Sequence, residues 1–104
     1  MVFIKMDLKE IMKCILDNMW DEVMGASKYI DLYCDYKEEY PMLAQVFLEI
    51  APIELQHYDK LKKGFEDLVS KTTDVPQSIL EIWKFDISRL QEKVDKIKWK
   101  ISNK

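Results

Sequence analysis

The sequence predicts an all-α protein built from three long helices in one domain. Only 2 of its 104 residues are glycine and 3 are proline, which leaves few positions for the many turns of a β fold. In three segments, apolar residues recur at alternating intervals of three and four, the pattern of a helix with one apolar face. We expect helices at about 8–38, 41–70 and 75–102 within a single domain, residues 1–104.

The first predicted helix begins after Asp7, because Asp7 and Glu10 have the spacing of a capping box. It ends near Glu38, because Pro41 disfavours helical geometry at the residue before it. We expect its stripe at intervals of three and four to face the core. This stripe consists of Leu8, Ile11, Ile15, Asn18, Glu22, Gly25, Tyr29, Leu32 and Tyr36.

The second predicted helix starts at Pro41, whose missing N–H is tolerated in a first helical turn. Pro52 cannot donate to the carbonyl of Leu48, so a kink or a π-bulge is expected just before Glu54. The stripe expected to face the core is Leu43, Phe47, Ile50, Glu54, His57, Leu61, Gly64 and Leu68.

The third predicted helix has the most regular pattern in the chain. Asp74 and Gln77 resemble a cap-and-return pair at its start. Its apolar residues follow strict alternating steps of three and four, as in a coiled coil. They are Leu80, Trp83, Ile87, Leu90, Val94, Ile97 and Ile101.

Three ionisable residues interrupt the first two stripes at positions where the pattern requires apolar side chains. They are Glu22, Glu54 and His57, and His57 is the only histidine of the chain. Counted from a turn near Glu39, they lie 17 residues before it and 15 and 18 residues after it, or roughly 26, 23 and 27 Å at about 1.5 Å per residue. In an antiparallel hairpin they therefore meet at one level. An unpaired buried charge is expensive, so something must compensate it.

A bound metal ion is one such compensation. One glutamate on one helix and an i, i+3 Glu-x-x-His pair on another form half of the ligand set of di-iron and di-manganese carboxylate bundles. Two copies of this hairpin, related by a two-fold axis, would supply the whole set. Carboxylate and imidazole ligands suit Fe(II), Mn(II) or Zn(II), and their types do not choose among these ions. A plain Glu54–His57 salt bridge, with Glu22 reaching solvent, is the alternative without metal.

The run "DEVMGASKYIDLYCDYKEEYPMLAQVFLEIAPIELQHYDKL" resembles the small ferritin-like proteins of bacteria and their phages, and the encapsulated ferritins. The likeness covers roughly residues 20–65. It rests on Glu22 and its spacing to Ala26 and Tyr29, and on the later pair Glu54 and His57. It implies a ferritin-like antiparallel helical hairpin plus a third helix, with a four-helix bundle site completed by dimerisation. It also implies that Glu22 and Glu54 are carboxylate ligands, one or both bridging, and that His57 is a terminal ligand.

The chain departs from these families in two places. The segment "KWKISNK" does not look like the shell-targeting tail of encapsulated ferritins. Phage-type relatives often have an acidic residue followed by histidine early in the third helix, where this chain has Asp86 and Ile87. Ile87 cannot ligate, and the level of the site falls near Leu90, one turn past Asp86, so Asp86 is a candidate for a hydrogen bond to the ligands rather than for ligation. Tyr29 and Tyr58 lie on helices near the proposed site and are candidates for the same role. Ordinary packing for the tyrosines and an ordinary surface position for Asp86 are the alternatives.

The function that these features predict is ferroxidase-type oxidation of Fe(II), with two iron ions per homodimer or higher homo-oligomer, and with Mn or Zn as other possible ions. The alternative is a non-enzymatic helical assembly module with a structural metal or no metal. The net charge of −3 argues against nucleic acid, and the apolar runs are too short to span a membrane. Cys14 and Cys34 lie too far apart along one helix to form a disulfide. Reduced thiols and no visible leader predict a cytoplasmic location.

Overall fold

The structure, a computed structural model, describes residues 7–72 and 75–104, and over those residues it contains three α-helices and no strand. The helices are α1 (Leu8–Tyr36), α2 (Pro41–Ser70) and α3 (Gln77–Ser102). The prediction of an all-α chain with three helices is therefore confirmed. Neither α1 nor α2 nor α3 is both long enough and apolar enough to cross a membrane.

Two of the predicted helix starts are confirmed in detail. The Asp7 side chain accepts a hydrogen bond from the backbone N–H of Glu10 at 2.9 Å, and Pro41 is the first residue of α2. The predicted cap of α3 involves Asp74, which lies outside the described residues. α2 continues as an α-helix through Pro52, so the predicted π-bulge does not form.

α1 and α2 form an antiparallel hairpin, and α3 lies along one side of it. The guanidinium of Arg89 lies 5.8 Å from the ring centroid of Trp20. Further along both helices, Lys100 Nζ donates to Asp31 at 3.1 Å. Because the residue numbers rise together in these two contacts, α3 runs parallel to α1 and antiparallel to α2.

The core lies between the hairpin and α3, and its buried positions on α1 and α2 are shifted by one residue from the predicted stripes. The predicted stripes lie at the edge of the core, where Ile15, Tyr29 and Leu61 pack against it while partly exposed. The prediction of the core-facing stripe was therefore wrong for both helices. The physical reason is that each helix has two neighbouring apolar faces, and α3 covers only one of them. The buried residues of α1 and α2 are Met12, Leu16, Met19, Val23, Ala26, Ile30, Ala44, Leu48, Ala51, Leu55, Tyr58 and Phe65.

The predicted stripe of α3 is confirmed. Trp83, Leu90, Val94 and Ile97 are buried, and the remaining stripe residues pack against them while partly exposed. Trp83 meets Phe65 of α2 edge to face, with ring centroids 5.6 Å apart. This geometry suits the opposite charges of an aromatic edge and an aromatic face.

A polar group, Gln91, sits within this apolar contact between α2 and α3. The Tyr58 hydroxyl donates to Gln91 Oε1 at 3.1 Å, and Lys62 Nζ donates to the same oxygen at 3.0 Å. The Gln91 amide in turn donates to Asp95 at 3.0 Å. Tyr58 is fully buried, and this burial raises the pKa of its hydroxyl to about 12. The hydroxyl therefore stays protonated and keeps its role as a donor.

The chain is more extended than a compact domain of its length. Its principal extents are 53 × 36 × 16 Å and its radius of gyration is 16.8 Å. A compact domain of about 100 residues has a radius of gyration near 13 Å. The long helices of this chain therefore form a thin layer, with one side of the hairpin left uncovered by α3.

Candidate metal centre

The hairpin brings Glu22 of α1 next to Glu54 and His57 of α2. One ligand-capable atom from each residue lies within 4.8 Å of those of the other two. The expectation that the three residues meet at one level is therefore met. They form what we call the carboxylate–histidine cluster, and among the described residues they are the only such group of three.

The cluster is at the surface of the single chain. His57 Nδ1 and Glu22 Oε2 are 3.3 Å apart, with the two side chains 49% and 25% exposed. Glu54 is half-buried. The expectation that all three side chains are buried was therefore wrong for the isolated chain. The difference has the same cause as the shifted core: the cluster lies on the apolar face that α3 leaves uncovered.

The two carboxylates perturb each other. Glu22 shares a hydrogen bond with the Glu54 carboxyl, and this contact raises the pKa of Glu54 above its ordinary value. Partial burial and the negative charge of Glu22 raise it further, while the charge of His57 opposes them. Two like charges this close favour retention of a proton between them, or neutralisation by a cation.

The cluster faces away from α3. Glu22 and Asp31 are nine residues apart, which is two and a half helical turns, so they point to opposite sides of α1. Asp31 is bonded to Lys100 of α3. Glu22 therefore points away from α3, and the cluster opens towards the free side of the hairpin.

The donor set and its spacing suit a divalent ion. Oxygen and nitrogen donors bind zinc tetrahedrally at about 2.0–2.2 Å, so any two ligands of one ion stand about 3.4 Å apart. The observed span of up to 4.8 Å closes to this value when the side chains approach each other by about 1.4 Å in all. Half-exposed glutamates can make such movements by rotating their side chains. Three protein ligands leave further coordination positions open.

The remaining predicted site residues have other surroundings. Tyr29 stacks on Phe47, with ring centroids 6.0 Å apart and planes 27° from parallel. The Tyr58 hydroxyl is bonded to Gln91 rather than to the cluster. Asp86 is half-buried on α3 and does not belong to the group of ligand-capable residues.

Two features of the site were missed by the sequence reasoning. Gly25 lies against the Glu54 carboxylate, so that a Cβ at Gly25 would be 3.3 Å from Glu54 Oε2. Counting from the turn, which placed Glu22, also brings Gly25 level with Glu54 and could have found this contact. The second feature is an apolar row on α2 that leads to His57 in steps of three and four. We call it the uncovered stripe, and it consists of Leu43, Val46, Ile50 and Ile53.

No protein-family model, curated protein or solved structure matches this chain. The resemblance to small ferritin-like proteins therefore stays a prediction from the sequence.

Proposed function

We propose that the carboxylate–histidine cluster is one half of a di-iron centre that oxidises Fe(II), and that a second copy of the chain supplies the other half. The observation that carries this proposal is the convergence of Glu22, Glu54 and His57 within 4.8 Å on two helices. Such a set, taken twice, matches the ligands of ferritin-like carboxylate bundles. The free thiols of Cys14 and Cys34 fit a reducing compartment such as the cytoplasm.

The surface of the single chain supports a second copy as the partner. The chain exposes 7495 Å², whereas a compact monomer of this mass exposes about 6,200 Å². The difference exceeds the roughly 800 Å² that each partner buries in a standard interface. The uncovered stripe lies beside the cluster, and Leu43, Val46 and Ile53 are 50%, 47% and 47% exposed. Pairing two hairpins through this face covers the stripe and brings two clusters together.

Fe(II) is the substrate in this proposal. Two Fe(II) ions give one electron each to dioxygen, which takes up two protons and leaves as hydrogen peroxide. The anionic carboxylates of Glu22 and Glu54 favour this change, because they stabilise the more highly charged ferric ion. His57 completes the protein ligands on each half, because an imidazole nitrogen is a suitable donor to iron.

Anaerobic titration with Fe(II) tests the proposal. We expect saturation at about one ion per chain, or two per dimer, followed in air by the near-ultraviolet absorption of ferric iron. Glu54→Ala should abolish both signals. Glu66→Ala is the matched control, since Glu66 is an exposed carboxylate on the same helix outside the cluster. If Glu54→Ala oxidises iron as fast as the parent, the site assignment is wrong.

The uncovered stripe also favours a second function, a non-enzymatic assembly module in which any metal is a structural clamp. The comparison that separates the two is oligomer size and melting temperature with and without chelator. Loss of the oligomer on chelation, with no oxygen-dependent change in the iron-loaded protein, identifies the clamp. Retention of the oligomer together with ferric absorption identifies the oxidation site.

A further inference from the structure

Gly25 occupies a close contact between α1 and α2 at the level of the carboxylate–histidine cluster. A Cβ at Gly25 would lie 3.3 Å from Glu54 Oε2 and 3.6 Å from Glu54 Cδ. Ala26 and Ala51 are both fully buried on α1 and α2, and they lie 13 residues before and 12 residues after the turn near Glu39, so small residues occur on both helices at this level. The helical φ of Gly25 is negative, so any residue can adopt its backbone conformation.

We propose that Gly25 is a positioning residue that leaves the space in which the Glu54 carboxylate lies against α1. This inference rests on the proposed function, because it assigns Gly25 a role in forming the metal site. A glycine in a helix interior is destabilising relative to alanine. The contact with Glu54 gives a reason for glycine at this position, since its backbone conformation does not require one.

A methyl group at position 25 would press against the Glu54 carboxylate. At 3.3 Å the Cβ is closer to Oε2 than an ordinary van der Waals contact, so the carboxylate has to move by a few tenths of an ångström. The Glu54 carboxylate has to rotate to reach an ion, and a methyl group at position 25 would occupy part of the space beside it. Gly25→Ala therefore weakens metal binding while leaving the helices intact.

Gly64 provides a matched control on α2. It is also within a helix, it is exposed, and a Cβ built there has nothing within 4 Å. Gly64→Ala should therefore gain the full helix-forming advantage of alanine. That gain is roughly 2 to 8 °C in melting temperature for a domain of this size.

The first experiment is a double-mutant cycle on the chelator-treated, metal-free protein. Gly25→Ala should raise the melting temperature less than Gly64→Ala, because its methyl group meets the Glu54 carboxylate. In the Glu54→Ala background that contact is absent, and Gly25→Ala should then gain as much as Gly64→Ala. Equal gains for Gly25→Ala in both backgrounds would show no coupling between the two positions and would overturn the inference.

The second experiment measures the binding of Mn(II) and of Fe(II) without oxygen to the parent, Gly25→Ala and Gly64→Ala. We expect Gly25→Ala to bind about 10- to 100-fold more weakly, the range seen when groups that orient metal ligands are changed. Gly64→Ala should bind as the parent does. A merely structural role for Gly25 would not produce this separation of affinity from stability.

Together, the two experiments distinguish a failure of the positioning role of Gly25 from a failure of the proposed function. If the parent binds metal and Gly25→Ala binds it equally well, the positioning role is refuted and the proposed function is unaffected. If the parent binds no divalent ion, the proposed function fails and with it the metal-related role of Gly25. Coupling between Gly25 and Glu54 in the metal-free protein, together with weaker metal binding by Gly25→Ala, supports both the positioning role and the proposed function.

Discussion

Truncation of Ile53 should weaken self-association without harming the single chain. Ile53 is 47% exposed on the uncovered stripe, and it lies five residues from Tyr58, or about 140° around α2, on the side away from α3. Complete burial of such a side chain contributes about 1.5–3 kcal/mol, so covering its exposed half contributes about half of that.

A two-fold interface contains each residue twice. Ile53→Ala should therefore destabilise the dimer by about 1.5–3 kcal/mol, which is roughly a 10- to 100-fold increase in the dissociation constant. Sedimentation velocity over a dilution series measures this constant directly. Melting of the dilute, metal-free monomer should change little, since alanine is a good helix former.

The matched control is Ile82→Ala. Ile82 is 60% exposed, but it belongs to α3 on the other side of the hairpin. We expect the dimer of Ile82→Ala to have the same dissociation constant as the parent dimer. The reasoning is refuted if Ile82→Ala dissociates the oligomer and Ile53→Ala does not, because the interface would then lie on α3. If the parent chain stays monomeric at every concentration, the proposed pairing with a second copy is refuted.

Three further outcomes are expected. Leu90→Ala, at a fully buried position, should lower the free energy of unfolding by about 2–5 kcal/mol in denaturant titration, and a smaller loss would contradict the core described for α3. Because the pKa of Glu54 is raised in the folded chain, the folded state holds this proton more tightly than the unfolded state. The metal-free protein should therefore lose stability as the pH rises from the ordinary value of 4.5 through the raised pKa, and Glu54→Gln should remove that dependence in melts at several pH values. Cys14 and Cys34 are free and exposed, so a thiol reagent should modify both in the native protein, and blocked thiols would indicate a covered surface.

The α3 pattern could be predicted from sequence because α3 has one continuous apolar row, in which Trp83, Leu90 and Val94 recur at coiled-coil spacing. Ile82 is also apolar and is exposed, but Arg89 and Lys96 follow it at heptad spacing, so no second row continues along the helix. The level of the cluster was also predictable, since a hairpin with a short turn relates positions on its two helices by counting alone.

The faces of α1 and α2 could not be assigned in the same way. Val23 and Glu22 belong to adjacent rows, and each row follows the same steps of three and four. The choice between them depends on where α3 packs, a contact between distant segments that periodicity does not encode. Exposure of His57 has the same origin, because His57 lies on the face of the hairpin that α3 leaves uncovered.

Gln91 influences the alignment of α3 along the hairpin. An apolar row that repeats every seven residues would pack almost as well after sliding by one heptad. Such a slide would bring Lys84 or Lys98 to the position of Gln91. An ammonium group accepts no hydrogen bond, so the Tyr58 hydroxyl would lose its acceptor, and Lys62 would face a like charge. One amide therefore favours a single alignment of α3 along the hairpin over the two alignments that lie one heptad away.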